Sequence, residues 1–346
     1  MSDSFTSRPV DEPRDRGTLR QRLGVAAVIG LSRVITPLPP SLVQRVARLI
    51  GTAWYLTARD GRDLARANLL RVCTWLAEHD LASSRVRAAV RDPRALERLL
   101  VDAYGHRARY YAEVLVATRY DDAFVARHFR LAGGPAVAAE LARPGPLILV
   151  GLHLGALELP SRYVTALGRH AVAPMEILPN PPLQRYLERS RSASGVELIP
   201  PHAARPVLEE ALAEGGVVGL IADRDVTGGP GMPVRLFDAE ARIPVGPAIL
   251  AVESHAPTYV GAAVRSGWSD YVGRVIRIEP PAEGTLRERI RAVLDQVAGG
   301  FERLIADAPE QWWSLFMPIW NDEPGASGTR RLEPERDPRE SVGAAP

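Results

Sequence analysis

The chain has 346 residues, 46% hydrophobic and 24% charged, which is the composition of a globular protein with one large core or two smaller ones. Its 43 arginines and 41 acidic side chains nearly cancel, so net charge favours no class of partner. The chain contains no lysine and a single cysteine, Cys73. These counts exclude Schiff-base, P-loop-lysine and Ser-Lys chemistry, internal disulfides and multi-thiolate zinc sites.

Residues 1–18 are charged and poor in apolar side chains, which predicts disorder. Residues 19–130 follow a helical pattern, beginning with an apolar run of about nine residues from Leu23, whereas a membrane-spanning helix needs roughly 20. A second apolar helix is predicted over residues 42–56, beside a local excess of arginine. This combination is typical of a helix that lies in a membrane interface. A helix pair that buries its apolar face and solvates its arginines fits the same pattern.

From residue 131 to 320, short apolar runs alternate with helical stretches. The runs cover residues 146–152, 171–175, 196–200, 217–221, 257–264 and 275–278. The helical stretches lie near residues 133–143, 156–168, 183–192, 204–214, 246–255 and 285–307. This alternation predicts an α/β fold with a mostly parallel central sheet flanked by helices. Residues 321–346 form a second tail that we expect to be disordered.

The first candidate for chemistry is His153, which follows an apolar run and is followed by Gly155 and a predicted helix. Glu158 lies in the first turn of that helix, within reach of the strand end. A histidine held by a carboxylate is a general base. The alternative is a structural histidine at a strand end with a glutamate favoured by the helix dipole.

A second polar cluster, Asp223-Arg224-Asp225, ends the apolar run at 217–221. Because the carboxyl ends of parallel strands meet at one edge of a sheet, this cluster is expected near His153. It fits the orientation of a base, the binding of an anion or a structural ion network. The segment 236–247 is predicted to be a shaped loop before a helix, whose first amides suit an oxyanion or a phosphate.

Three of the six tryptophans fall between Trp312 and Trp320. This concentration predicts closure of the core or, alternatively, a functional role as the wall of an acyl pocket or an interfacial aromatic contact. The sequence has no G-x-S-x-G, H-E-x-x-H, G-x-G-x-x-G or Walker A motif. No pair among the seven histidines has metal-ligand spacing, so no metal site is predicted.

Four motifs, taken in chain order, make the sequence resemble the bacterial lipid A biosynthesis (lauroyl/myristoyl) acyltransferase family, which includes the phosphatidylinositol mannoside acyltransferases. The set comprises H-x4-E at His153, the D-R-D run, the loop F-x-x-x-A-R-x-P-x-G-P and P-E-Q-W at 309–312. The resemblance covers residues 20–320 and is nearest to the mannoside branch. Two departures bear on acceptor and donor chain length: Ala156-Leu157 replaces Asn-Trp, and L-F-D replaces F-F-G.

The resemblance implies transfer of a fatty acyl group from an acyl-CoA or acyl carrier protein thioester to a glycolipid hydroxyl, without a cofactor or a metal. His153 would take the proton from the hydroxyl. Glu158 would hold the imidazole, and Asp223 could share that task. The substrate-binding candidates in the matched motifs are Arg191, Arg224, Asp225 and Arg242. The two arginines 191 and 224 would bind phosphates of the donor or the acceptor.

The resemblance also implies a membrane lipid acceptor and a peripheral location on the cytoplasmic face of the plasma membrane, with residues 19–130 as the helical anchor and no nucleic-acid partner. Two alternatives stay open. One is a non-catalytic membrane lipid-binding protein with the same fold, and the other is a lysophospholipid acyltransferase. Convergence of His153, Glu158 and Asp223 beside an apolar channel would favour an enzyme over the binding protein.

Overall fold

The structure, a computed structural model, describes residues 16–58, 61–224 and 231–320. The tails expected to be disordered therefore lie outside the described residues, apart from residues 16–18. Thr18 caps the first helix in a capping box: its hydroxyl accepts from the Gln21 backbone amide, and the Gln21 side chain accepts from the Thr18 backbone amide. The proposed division into segments 1–18, 19–130, 131–320 and 321–346 stays a prediction.

The N-terminal part of the chain is helical. Its helices are α1 (Leu19–Ile35), α2 (Pro40–Thr57), α3 (Arg62–Glu78), α4 (Ser84–Arg91), α5 (Pro93–Leu115) and α6 (Asp122–His128). Pro39, at the N-cap of α2, and Pro40 separate α1 from α2, because proline is accepted at a helix start but not in its interior. Cys73 is fully buried on α3, and burial raises the pKa of its thiol to about 12.

The rest of the described chain alternates strands and helices. The strands are β1 (Phe129–Leu131), β2 (Leu147–Gly155), β3 (Ala171–Pro174), β4 (Val196–Ile199), β5 (Val217–Ile221), β6 (Gly231–Leu236), β7 (Ala239–Pro244), β8 (Thr258–Arg265) and β9 (Tyr271–Ile278). The helices are α7 (Gly134–Ala142), α8 (Glu158–Ala166), α9 (Pro181–Ser192), α10 (Ala204–Ala213), α11 (Gly246–Ser254) and α12 (Leu286–Ala306). Single 3-10 turns at Pro309–Gln311 and Trp313–Phe316 follow α12.

Seven strands form one sheet in the order β1-β9-β8-β2-β5-β3-β4. Its pairs are parallel except for β8 with β9, which are antiparallel. The prediction of an α/β fold with a mostly parallel central sheet is confirmed. The two central strands β2 and β5 are neighbours, so their carboxyl ends, which carry His153 and Asp223, lie side by side.

The segment 236–247, predicted as a loop, belongs mostly to a β-hairpin in the structure. It contains the turn and second strand of an antiparallel hairpin, β6–β7. Phe237 and Asp238 form the turn with φ angles of 51° and 58°, the left-handed pair that a two-residue hairpin requires. The loop prediction was wrong because a turn built on Phe-Asp lacks the usual glycine signal. The helix expected after it is α11.

The sheet buries both of its faces. One face packs against α10, α11 and α12 in the main core, where Ile148 and Val150 of β2 belong to the same buried cluster as Leu250 and Val297. The other face, which carries Leu149 and His153, is covered by α7 and α8 around a smaller apolar cluster. Strands buried on both faces explain the nearly continuous apolar runs in the sequence.

Helices α1 and α2 leave many large apolar side chains exposed. We call this set the N-terminal apolar surface; it comprises Leu19, Leu23, Leu31, Val34, Leu42, Val46, Leu49, Ile50 and Leu56. Among the described residues, no helix is both long enough and apolar enough to cross a membrane. Helix α1 lies beside α9, and the Gln21 side chain donates a hydrogen bond to the Pro179 carbonyl at 3.3 Å.

Candidate active site

His153 projects from an irregular end of β2. Gly151 pairs with Gly261 of β8, but Gly155 pairs with Ala263, so β2 uses four residues where β8 uses two. Such a bulge bends a strand and redirects its side chains. Gly155 has φ +67°, and a Cβ atom there would lie 2.0 Å from the Ala263 carbonyl oxygen. Glycine at 155 therefore makes possible the bend that aims His153 into the cavity described below.

The carboxylate partner of His153 is Asp223, which follows β5. The imidazole Nδ1 lies 2.7 Å from Asp223 Oδ1, and the His153 backbone amide donates to Oδ2 at 3.1 Å. The Asp223 side chain is fully buried and the His153 side chain is 13% exposed. Because an ionised carboxylate only accepts, Nδ1 carries the proton and Nε2 is left as the basic atom.

Two more donors, from the segment after α12, hold Asp223. Trp312 Nε1 donates to Oδ2 at 2.9 Å and Ser314 Oγ donates to the same oxygen at 2.7 Å. Burial alone raises the pKa of Asp223, but the charge and hydrogen bond of His153 and the bonds from Ser314 and Trp312 lower it to about 2. Asp223 is therefore a buried anion that fixes the imidazole tautomer.

Glu158 pairs with Arg191 instead of making the expected contact with His153. Glu158 Oε1 accepts from Arg191 Nε at 3.1 Å. Glu158 begins α8, and α9 places Arg191 beside it, whereas the end of β5 brings Asp223 to the imidazole. Burial lowers the pKa of Arg191, but Glu158 and Tyr110 outweigh that effect and the net shift is upward. Glu158 thus keeps a charged guanidinium at the site.

Arg224 lies at the opening of the same site. Its guanidinium stacks over Trp313 at 5.2 Å, and the Trp313 ring lies 5.6 Å from that of His153. Arg224 Nη2 is 3.5 Å from Glu176 Oε2, and Nη1 is 3.1 Å from Met317 Sδ. The buried Nε atom has no hydrogen-bond partner among the described residues. Arg224 can therefore still bind an anionic group.

The remaining two candidates are Arg242 and Asp225. Arg242 is exposed on β7, where it donates to the Gly231 carbonyl, and it does not line the cavity. Arg242 lies on a strand of the unpredicted hairpin β6–β7, and its role in substrate binding stays a prediction. Asp225 lies outside the described residues.

A cavity of about 800 Å³ extends from His153 and is lined by strands of the central sheet and by helices on both sides of it. Its walls are mostly aliphatic, and its polar lining lies around His153, Glu158, Arg191 and Arg224. Glu176 lines this polar end with a 43% exposed side chain, so the cavity opens to solvent there. The volume is that of a small-molecule site. Within residues 16–58, 61–224 and 231–320, no His, Cys, Asp and Glu cluster suits a metal ion.

A second network, of buried hydrogen bonds around Arg265, supports the bend at Gly155. Arg265 of β8 forms a buried ion pair with Glu113 of α5, with Nε and Oε1 2.7 Å apart, and its Nη2 donates to the Gly155 carbonyl at 3.0 Å. Gln311 holds the Arg265 backbone through two bonds, of 2.8 and 2.9 Å. The segment 309–314 therefore braces both the Gly155 bend and the Asp223 carboxylate.

The sequence did not reveal Trp312 and Ser314 as partners of Asp223. Both predictions for the tryptophan-rich segment have a counterpart in the structure: Trp312 and Trp320 are fully buried in the core, and Trp313 lines the cavity. The donor role of Ser314 had no signal, because a single serine in an apolar segment marks no chemistry. The tryptophans and the P-E-Q-W motif pointed to this segment, but neither indicated Ser314.

The site combines the His153–Asp223 pair, a mostly apolar cavity and the guanidinium groups of Arg191 and Arg224. Residues 16–320 match the model of a family described as bacterial lipid A biosynthesis acyltransferase, and the chain belongs to that family. It is therefore an acyltransferase, and the family implies an acyl donor and a lipid acceptor.

Among its relatives, the chain is similar to phosphatidylinositol mannoside acyltransferases. It is 30% identical over 278 residues to the one from Mycobacterium tuberculosis H37Rv, covering 78% of this chain and 80% of the relative. The one from Mycolicibacterium smegmatis is 30% identical over 142 residues, covering 40% of this chain and 44% of the relative.

Proposed function

We propose that this protein transfers a fatty acyl group from a thioester, acyl-CoA or acyl carrier protein, to a hydroxyl of a glycolipid headgroup. The observation that carries the proposal is the His153–Asp223 pair at the polar end of a long apolar cavity. The cavity holds the acyl chain, so that the thioester carbonyl lies beside the imidazole. The names of the relatives favour a phosphatidylinositol mannoside acceptor over a lipid A-type acceptor.

His153 acts as a general base through Nε2. The acceptor hydroxyl gives its proton to Nε2 as its oxygen attacks the thioester carbonyl. The tetrahedral intermediate then expels the thiolate, which takes the proton from the imidazolium. An ester forms, a thioester breaks, and a free thiol leaves, so the step balances without a cofactor. Asp223 stabilises the transient imidazolium.

Arg224 and Arg191 bind the anionic parts of the two substrates. Both guanidiniums line the cavity with His153. The headgroup of the acceptor and the pantetheine arm of the donor each carry phosphate, and guanidinium is the side chain best suited to phosphate. In this proposal Glu158 acts on the substrate only through Arg191.

The N-terminal apolar surface docks the protein on the cytoplasmic leaflet of the plasma membrane. A helix that exposes Leu49 and Ile50 beside Arg45 suits the interface between headgroups and acyl chains. Because α1 contacts the residues just before α9, and α9 carries Arg191, docking brings the polar end of the cavity close to the lipid. The acceptor then reaches His153 without leaving the membrane.

The proposed function is tested by incubating the protein in detergent with radiolabelled palmitoyl-CoA and the lipid extract of its host. We expect one labelled glycolipid, which mass spectrometry then identifies. Label on a mannosylated phosphatidylinositol supports the mannoside acceptor, and label on a lipid A precursor supports the other. Label only on phosphatidic acid contradicts the glycolipid acceptor. No label with either palmitoyl-CoA or palmitoyl carrier protein contradicts acyl transfer.

Membrane docking is tested by flotation with vesicles containing anionic phospholipid. Leu49→Glu combined with Ile50→Glu places two charges in the N-terminal apolar surface and is expected to release the protein from the vesicles. Leu286→Glu is the matched control, because Leu286 is also exposed but lies on α12. Equal flotation of all three proteins would contradict docking through α2.

A further inference from the structure

Gly219 lies in the middle of β5 and lines the cavity. It pairs in register with Leu149 of β2. On the other side, β3 pairs with β5 one residue earlier, which places Ala173 beside Gly219. Leu149, Gly219 and Ala173 therefore form a row across three neighbouring strands, and all three line the cavity.

Gly219 has free space where a Cβ atom would lie, whereas the other strand glycines that line the cavity do not. A Cβ atom built on Gly219 has only one neighbour within 4 Å, the Cβ atom of Ala173 at 3.8 Å. A Cβ atom built on each of the other strand glycines that line the cavity would lie 2.4 to 3.1 Å from a neighbouring side chain; these are Gly151, Gly261 and Gly273. At Gly219 the missing side chain is therefore cavity space.

The row lies part of the way down the cavity. Leu149 precedes His153 by four residues on β2, which a regular strand would extend over about 13 Å. The bulge between Gly151 and Gly155 shortens this distance along the strand to about 10 Å. Beyond the row, the cavity continues to Ala171 and Val217, which pair with each other in register. An octanoyl chain with its carbonyl at His153 ends before the row, whereas a palmitoyl chain passes it.

We propose that the absence of a side chain at Gly219 lets the cavity accept long acyl chains, so that this position sets the upper chain length of the donor. The proposal rests on the proposed function, because it takes the cavity to hold the acyl chain of the thioester. A larger side chain at this position closes the cavity at the row. It leaves the space between the row and His153 free for a short chain.

The test is the specificity ratio kcat/KM for palmitoyl-CoA over octanoyl-CoA, measured for wild type, Gly219→Ala and Gly219→Leu. Each methylene displaced from the cavity costs about fourfold in affinity, so we expect Gly219→Leu to lower the ratio by at least about tenfold. Gly219→Ala adds a methyl at ordinary contact distance and is expected to change the ratio by less than about threefold. Gly299→Leu on α12 is the matched control, because open space surrounds Gly299 away from the cavity.

Binding separates this proposal from the proposed function. Calorimetry with palmitate and octanoate needs no catalysis: we expect Gly219→Leu to lose palmitate binding and keep octanoate binding. That result, with no acyl transfer by wild type, would contradict the proposed function and support the role of Gly219. An unchanged palmitoyl preference and unchanged palmitate binding in folded Gly219→Leu would overturn it. If Gly219→Leu does not fold, Ala173→Leu in the same row gives the same test.

Discussion

Substitution of Asp223 by asparagine is the sharpest perturbation of the site. Oδ2 of Asp223 accepts three hydrogen bonds, from the His153 amide, Trp312 Nε1 and Ser314 Oγ. The amide oxygen must occupy this position, because an NH2 group there would face three donors. The NH2 group then points at His153 Nδ1, which must accept, and the ring proton moves to Nε2. The base is blocked although its geometry is intact.

We expect Asp223→Asn to lower kcat by about 10³- to 10⁴-fold, the loss found when a neutral amide reverses the tautomer in a comparable pair. The assay is the initial rate of transfer from labelled palmitoyl-CoA, with KM measured alongside. Asp270→Asn is the matched control, because Asp270 Oδ1 lies 3.1 Å from His128 Nδ1 in an exposed pair away from the cavity. A loss in kcat of less than about tenfold would refute the reasoning.

Three further predictions concern stability and support of the site. The pKa of Asp223 falls from 3.8 in the free side chain to about 2, so ionised Asp223 stabilises the folded state by about 2 kcal/mol. This contribution is fully present above about pH 4 and is lost as the pH falls to about 2. Urea unfolding at several pH values should show this loss of unfolding free energy in wild type and not in Asp223→Asn. Arg265→Met leaves Glu113 as an unpaired buried charge and should lower the free energy of unfolding by about 3–5 kcal/mol. Gly155→Ala, whose methyl would meet the Ala263 carbonyl, should lower both the melting temperature and kcat; an unchanged kcat would show that the bend does not position His153.

Much of the α/β fold is visible in the sequence because its strands are buried on both faces. The apolar runs at 146–152 and 217–221 became β2 and β5, and both strand ends carried the expected polar residues. The strands that were missed are short or belong to the hairpin. β1 has three residues, and the β6–β7 turn uses Phe-Asp in a conformation that usually calls for glycine or asparagine.

Five of the seven predicted site residues lie together in the structure, but the sequence did not predict how they pair. His153, Glu158, Asp223, Arg191 and Arg224 all line the cavity or contact a residue that does. Which carboxylate meets the imidazole depends on the neighbour relation of β2 and β5, which spacing along the chain does not contain. A motif of two residues five apart suggested the local partner, whereas the sheet supplied the distant one.

The contribution of residues 309–314 could not be inferred, because it depends on contacts made across the whole chain. Ser314 and Asp223 are far apart in sequence, and so are Gln311 and Arg265. Each forms its bond only after the segment following α12 has packed against the ends of β2 and β8. Long-range side-chain bonds of this kind leave no periodic signal.

The central claim is that Nε2 of His153 removes the proton from an acceptor hydroxyl. The most direct measurement is the rate of palmitoyl transfer by His153→Ala beside wild type, with palmitate binding measured on the same preparations. The account predicts a loss of about 10²- to 10⁴-fold in transfer with binding retained. Transfer by a folded His153→Ala protein within about threefold of the wild-type rate would contradict the account, because no general base would then be needed at this position.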